Sequence, residues 1–320
     1  MRLSDTGAKE TVLSLLRAGH SQSGISKELC IPISTLNDFL RKWSWKEWWE
    51  EKEKLMQPDD QSAKLLLLDI ETAPILGNVW GLFNCDVGLN QIERDWYILS
   101  WSAKWLHEDE VMYQDKSESW DDEEDGPLLE EIHSLMNEAD FIIAHNGKRF
   151  DAKKLNARFI INGYKPPSNY KVIDTCIEAR KHFGFTSNKL EYLTDRLCTR
   201  YKKLKHGKFP GFLLWKECLR GNQEAWAEME EYNINDVLSL EELYINLLPW
   251  MRGHPSLDVW REDLMNVCAC GSDCFVRNGY YFTNLSKFDK FTCEACGAEK
   301  RGRVNLLPKE KRDSLLTNLV

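Results

Sequence analysis

No stretch of this 320-residue chain carries an apolar run long enough to cross a bilayer, and its start lacks the apolar core of a signal peptide. Neither a membrane segment nor secretion is expected, and a cytoplasmic protein is. Excess positive charge is also missing. The chain has 42 Lys and Arg against 51 Asp and Glu, a net charge of −9. That balance gives the whole molecule no bulk attraction to nucleic acid. The composition of a disordered chain is absent too, with 42% hydrophobic and 29% charged residues. What remains is a soluble globular protein with room for one sizeable core and small accessory modules.

Charge is spread unevenly. Asp121, Asp122, Glu123, Glu124 and Asp125 form an acidic run that reads as a solvated loop. Lys202, Lys203, Lys205 and Lys208 form a basic run, read the same way or as a guide for a substrate backbone. Of ten cysteines, Cys30, Cys85, Cys176, Cys198 and Cys218 are scattered and read as core thiols. The other five crowd between Cys268 and Cys296, which in a reducing compartment points to metal rather than disulfides.

The chain is organised around Leu65-Leu66-Leu67-Leu68-Asp69-Ile70-Glu71-Thr72. Four leucines in a row predict a strand buried on both faces. The strand then delivers Asp69 and Glu71, and the two-residue period of a strand puts both carboxylates on one face. Two like charges on one side of an apolar strand oppose each other, and a shared divalent cation removes the conflict. Acids at a strand end can also simply face water, so the distant partners decide.

Further strands are predicted over Ile98–Leu106, Val111–Gln114, Phe141–Ala144 and Val172–Asp174. Helices are predicted over Leu128–Met136, Asp151–Asn162 and most of the remainder up to Trp250. That order implies a mixed sheet flanked by helices. Next to the Phe141 strand comes His145-Asn146-Gly147-Lys148-Arg149-Phe150-Asp151, a glycine-containing turn that places an acid at a helix start. An acid there also opposes the helix dipole. Within a later helix, Tyr232 and Asp236 stand four residues apart and share a face.

Together these pieces resemble the DEDD superfamily of 3′–5′ exonucleases in its tyrosine-bearing, DnaQ-like branch. The resemblance runs from about Lys64 to Trp250, nearest to the exonuclease domains of family B polymerases and phage relatives. Asp69 and Glu71 match the D-x-E of the first motif. Asn146, Phe150 and Asp151 match the second motif, and Tyr232 and Asp236 the Y-x-x-x-D of the third. Val172-Ile173-Asp174-Thr175 and Ser187-Asn188-Lys189-Leu190 look like the region between motifs. The resemblance implies an α/β, ribonuclease-H-like fold and a metal-dependent 3′–5′ exodeoxyribonuclease. It implies two Mg²⁺ or Mn²⁺ about 3.5–4 Å apart, which stabilise the attacking and leaving oxygens of phosphodiester hydrolysis. Such hard cations take oxygen ligands, so carboxylates serve and histidines are not needed. By the family pattern, Asp69 bridges both ions. Glu71 and Asp236 hold the ion that activates water, and Asp151 supports the second. Tyr232 orients the water, since a tyrosine's ordinary pKa of about 10 makes it a poor base. Thr72, Asn146 and Phe150 are the substrate-binding positions the resemblance implies.

Two flanking modules are expected. Ala8–Lys42 has a three-helix pattern carrying Val12, Leu13, Leu15, Leu16, Ile25, Leu29, Leu36, Phe39 and Leu40. It resembles the helix-turn-helix of recombinases and transposase-associated proteins, whose last helix enters the major groove. A helical protein–protein module has the same pattern. Trp43, Trp45, Trp48 and Trp49 lie in an expected linker helix, and Pro58–Ser62 is a linker. At the other end, Cys268-Ala269-Cys270-Gly271 and Cys293-Glu294-Ala295-Cys296-Gly297 bracket Asn278-Gly279, which predicts a hairpin turn between two short strands. This resembles a zinc ribbon with one structural Zn²⁺ on Cys268, Cys270, Cys293 and Cys296, and Cys274 as the alternate ligand. Lys287, Lys290, Lys300, Arg301 and Arg303 interleave there with Tyr and Phe, a pattern that suits nucleic acid, although ribbons also bind proteins.

The expected modules are 1–57 (helix-turn-helix and linker helix), 63–252 (exonuclease) and 262–305 (zinc ribbon). The expected substrate is a single-stranded DNA 3′ end, with duplex DNA reached through the helix-turn-helix. Replication or recombination proteins of a phage or mobile element are the expected partners. Two rivals stay open: a transposase or nicking endonuclease on the same fold, and a DNA-binding regulator with a relic core.

Overall fold

Leu65–Leu68 are buried on both faces, as their unbroken apolar run requires, and they form the centre of the main sheet. The computed structural model describes residues 63–81, 83, 85–202, 207–261 and 266–317, with Thr11, Val12, Ile25–Lys27, Leu29 and Leu36. Residues 63–247 form one compact unit, and 248–320 belong to a second. No helix among the described residues is long and apolar enough to cross a membrane.

The main sheet has the order β5-β4-β1-β6-β7. Its strands are β1 (Leu65–Thr72), β4 (Ile98–Trp105), β5 (Met112–Asp115), β6 (Phe141–Ala144) and β7 (Lys171–Asp174). β1, β4 and β5 run antiparallel, and β1, β6 and β7 run parallel, which makes the sheet mixed. The helices are α1 (Gly126–Glu138), α2 (Asp151–Ile161), α3 (Thr175–His182), α4 (Leu190–Leu197), α5 (Leu213–Cys218) and α6 (Gln223–Leu247).

The two-residue period of β1 sorts its side chains. Leu66, Leu68 and Ile70 join Leu129, Ile132 and Met136 of α1 and Leu155 and Phe159 of α2 in one apolar layer. The opposite face meets α6, whose buried residues include Tyr232, Asn233, Asp236 and Leu240. A second apolar layer there joins Tyr97 and Leu99 to Leu214 of α5 and Trp226 and Met229 of α6. Asp69 and Glu71 therefore sit on the α6 side, at the end of an otherwise dry strand.

Two features depart from the expected pattern. Between β1 and β4 the chain makes an excursion through β2 (Leu76–Gly77) and β3 (Ile92–Arg94), an antiparallel pair. Ile75, Leu76, Val79, Trp80, Phe83 and Leu89 of this excursion are exposed. The acidic run 121–125 also divides. Asp121–Glu124 face solvent, but Asp125 is fully buried. Its carboxylate accepts the Ile98 amide at 2.9 Å and a bidentate pair from Arg158 at 2.7 and 2.8 Å. A buried carboxylate is tolerable only with such partners.

Of the expected helix-turn-helix, Val12, Ile25 and Leu36 are helical and buried. The arrangement of that motif lies outside the described residues, as does the tryptophan-rich helix after it.

The second unit carries a three-stranded antiparallel sheet with the order β10-β9-β8. Its strands are β8 (Phe275–Phe282), β9 (Lys287–Cys293) and β10 (Glu299–Arg301), followed by the short helix α7 (Lys309–Asp313). The Asn278-Gly279 dipeptide does not close the expected hairpin. Arg277 pairs with Phe291 and Tyr280 with Asp289, so β8 holds one extra residue there. Gly279 takes φ +80°, and the step is a bulge inside one continuous strand. The turn falls later, where the Thr283 amide reaches the Ser286 carbonyl at 2.9 Å. A left-handed glycine serves a bulge as well as a turn, and the pairing of Phe275 with Cys293 sets which one forms.

Candidate active site

β1 and α6 bring Asp69, Glu71 and Asp236 together. Ligand oxygens of all three lie within 4.8 Å of one another. Asp236 is buried, and the other two are partly exposed toward a cavity of about 950 Å³. Asp151, Phe150, Asn146 and Tyr232 line the same cavity, with Arg180 and Lys189 also on its wall. Thr72 ends β1 just beyond Glu71 and is not among the lining residues.

Asp151 stands apart from the three-carboxylate cluster. It opens α2, but its side chain reaches across to β1, where Oδ1 accepts the Ile70 amide at 3.2 Å. That bond ties the second motif to the strand between Asp69 and Glu71. Burial pushes the Asp151 carboxyl up to about 7, and the charge of Asp174 adds to the rise. Hydrogen bonds from backbone amides, Ile70 among them, oppose it. Cation binding at such a group releases its proton, so affinity rises with pH through that range.

The loop that aims Asp151 is held from β7. Asp174 accepts the amides of Asn146 at 3.0 Å and Lys148 at 3.1 Å, and caps α3 through Cys176 and Ile177 at 3.1 Å. Asn146 takes φ +69°, a left-handed state that asparagine tolerates. Gly147 has no room for a side chain, since a Cβ there would lie 2.3 Å from that of Ala144. His145 lines the cavity, but its ring nitrogens are engaged by Thr175 Oγ1 at 2.9 Å and the Asn188 carbonyl at 2.8 Å.

Asn233 is the residue that sequence reasoning passed over. It is fully buried on α6, one position after Tyr232 and three before Asp236. Its Nδ2 donates to Asp69 Oδ2 at 2.7 Å, and its Oδ1 accepts from the Ser100 hydroxyl at 3.1 Å. The Ser102 hydroxyl donates to its carbonyl at 2.7 Å. Ser100 of β4 thus fixes the side-chain amide that orients Asp69, and Ser102 holds the main chain of the same residue. The available signal was a polar side chain on the buried face of an apolar helix. Asn233→Ala is expected to lower the rate of hydrolysis by about 10–100-fold and to raise the Mn²⁺ needed for half-maximal rate. A rate titration in Mn²⁺ measures both, and a rate within about twofold of the native chain at all Mn²⁺ levels would contradict it.

Tyr232 is buried, with its ring edge-on to Trp215 at 6.1 Å and its side chain on the cavity wall. Of the basic run, the described lysines Lys202 and Lys208 do not line the cavity. Lys202 pairs with Asp195 at 3.3 Å, Lys208 pairs with Glu224, and residues 203–206 lie outside the described set.

The four cysteines of the second unit converge as well. Their sulfurs lie within 4.8 Å of one another, with Cys268–Cys296 and Cys270–Cys293 both at 3.7 Å. Each cluster ends in a left-handed glycine, Gly271 at φ +79° and Gly297 at +76°. Donation from Cys270 holds the Cys268 thiol down at about 7, and Cys293 is held down by its thiol neighbours, led by Cys268. Cys274 is buried outside this group, its sulfur 3.4 Å from Asp273 Oδ1. Four soft ligands at this spacing suit tetrahedral Zn²⁺, whereas the three carboxylates offer only hard oxygen and suit Mg²⁺ or Mn²⁺.

The mixed sheet and the carboxylate cluster at its central strand are together the arrangement of an RNase H-like, nuclease-type unit. A family model of the RNase_H superfamily matches residues 66–248, more than half of the chain, and the chain belongs to that superfamily. No curated protein sequence matches it. Among solved structures, it is similar to the family B DNA polymerase from the hyperthermophilic archaeon Pyrobaculum calidifontis, with 12% identity and a TM-score of 0.41. That match covers 71% of this chain and 32% of the polymerase, so the chain spans about a third of that protein.

Proposed function

We propose that this chain is a metal-dependent 3′–5′ exonuclease of the DEDD type that trims single-stranded DNA. One observation carries the reading: the carboxylates of Asp69, Glu71 and Asp236 converge within 4.8 Å beside a cavity that Tyr232 and Asp151 also line. Asp69, Glu71 and Asp236 would hold Mg²⁺ or Mn²⁺, and Asp151 would support a second ion. Such ions polarise the scissile phosphate and lower the pKa of bound water. Tyr232 orients the attacking water from the cavity wall. Phe150, 36% exposed at the rim, packs against the terminal nucleotide, and Asn146 donates to it. Thr72 meets the strand from the end of β1.

The flanking modules deliver substrate. The helix-turn-helix binds duplex DNA, in phage or mobile-element replication, repair or recombination. The ribbon holds one structural Zn²⁺ on Cys268, Cys270, Cys293 and Cys296. It offers Tyr280, Tyr281 and Phe282, all exposed on the edge strand β8, with Lys287 Nζ 3.6 Å above the Tyr280 ring. Exposed rings and cations in alternation suit single strands.

A 5′-labelled oligonucleotide in Mg²⁺ or Mn²⁺ tests the reading. The expected product is a ladder that shortens one nucleotide at a time from the 3′ end. Cutting of a circular single strand would replace this reading with the nicking endonuclease. An intact substrate in the presence of folded, metal-supplied protein would leave the DNA-binding regulator.

A further inference from the structure

Beside the acidic cavity lies a cation held by rings rather than by an acid. Lys154 is on α2, four residues after Phe150 at the helix start, and its amide reaches the Phe150 carbonyl at 2.9 Å, so the helical repeat brings these two residues to one side. Its Nζ sits 3.5 Å from the centre of the Trp96 ring and 5.7 Å from that of Phe150. Trp96 comes from the end of the exposed excursion, just before β4, and Phe150 lines the cavity. The ammonium is thus flanked by two rings, one of which is the cavity wall.

Several other cations of this unit are neutralised. Arg158, next along the same helix face, is locked by Asp125 at 2.7 Å, and Lys104 by Glu241 at 2.6 Å. Lys116 is held by Asp122 at 2.6 Å. No carboxylate among the described residues lies within ion-pair distance of Lys154, and Asp95 acts on it only from farther off. Burial lowers its pKa, because the two rings take the place of water around the charge. An ammonium already stripped of part of its hydration loses less when it meets a phosphate.

We infer that Lys154, seated between Trp96 and Phe150, is a strand-tracking subsite for a backbone phosphate of a single strand whose 3′ end occupies the acidic cavity. This rests on the nuclease reading above and extends it by one step along the substrate. Phe150 takes the base at the rim, Lys154 takes a phosphate of an adjoining nucleotide, and the Trp96 ring holds the lysine in place. The subsite supplies local positive charge in a chain whose net charge repels nucleic acid.

Salt dependence separates this role from a purely structural stacking contact. Each phosphate contact to a single strand contributes about −0.7 to the slope of log K against log salt. The full chain carrying Asp69→Asn, which keeps the substrate intact, is titrated with a fluorescent oligo-dT strand of about 12 nucleotides between about 50 and 200 mM salt. Adding Lys154→Gln is expected to weaken binding about fivefold and to flatten the slope by about 0.7, uniformly across sequences. Adding Lys154→Arg instead is expected to restore the slope. Equal slopes with and without Lys154→Gln, with binding retained, would overturn the subsite and leave the nuclease reading standing. No measurable strand binding by the native chain in Ca²⁺, together with no hydrolysis in Mn²⁺, would overturn both.

Discussion

Asp69→Asn is expected to cut the rate of DNA hydrolysis by about 10³-fold or more while the chain stays folded. The asparagine is nearly the same shape, and its side-chain oxygen can still accept from Asn233 Nδ2, which lies 2.7 Å from Asp69 Oδ2 in the native chain. What changes is one negative charge in a group of three carboxylates within 4.8 Å. Without a cation those charges repel, so the substitution is expected to leave the metal-free chain as stable as before or slightly more so. The loss shows only when metal is added. A ligand at about a hundred times its dissociation constant stabilises the native state by about 2.7 kcal/mol. For a unit of this size that is a rise in Tm of roughly 5–10 °C in Mn²⁺ for the native chain, and none for Asp69→Asn. Thermal unfolding with and without Mn²⁺, run beside the hydrolysis assay, checks both halves. An active Asp69→Asn chain would remove the carboxylates from the chemistry.

The second large effect concerns the four cysteines. Cys293→Ser is expected to remove zinc from the purified chain and to unfold β8, β9 and β10. The ribbon sheet has little apolar core of its own: of its strand residues, only Phe288 and Cys293 are buried. Zinc binding in small domains supplies about 10–16 kcal/mol, more than such a sheet can replace. Cys274→Ser is expected to retain one zinc per chain, since that sulfur faces Asp273 and stays outside the group of four. Zinc content by atomic absorption and amide exchange of residues 275–301 measure the two variants. Full zinc in Cys293→Ser, or none in Cys274→Ser, would reassign the ligands.

The sequence disclosed some of this structure and hid the rest for physical reasons. Leu65–Leu68 read as a doubly buried strand because no surface strand would carry four leucines in succession. The parity of the strand then set Asp69 and Glu71 on one face, and the spacing of Tyr232 and Asp236 set them on another. Nothing local said that these two faces meet, and the family resemblance supplied that step. The supporting residues were harder to see. Asn233 lies in the same short stretch as Tyr232 and Asp236, yet its role depends on Ser100 and Ser102 of a strand more than 130 residues earlier. Asp125 looked like its acidic neighbours, and only the reach of Arg158 from α2 makes it a buried anchor. Asn278-Gly279 misled because a left-handed glycine fits a bulge and a turn alike, and the choice is made by long-range pairing. The excursion with Trp80 and Phe83 has no period of its own, so neither its small β pair nor its exposed rings were legible.

Everything proposed for the catalytic unit requires that Asp69, Glu71 and Asp236 clasp a hard divalent cation. A Mn²⁺ binding isotherm of the native chain, with zinc already in place and read by electron paramagnetic resonance, tests this directly. Saturable Mn²⁺ binding is expected, lost in Asp69→Asn and in Asp236→Asn. A folded native chain that binds no Mn²⁺, or variants that bind it as well as the native chain does, would contradict it.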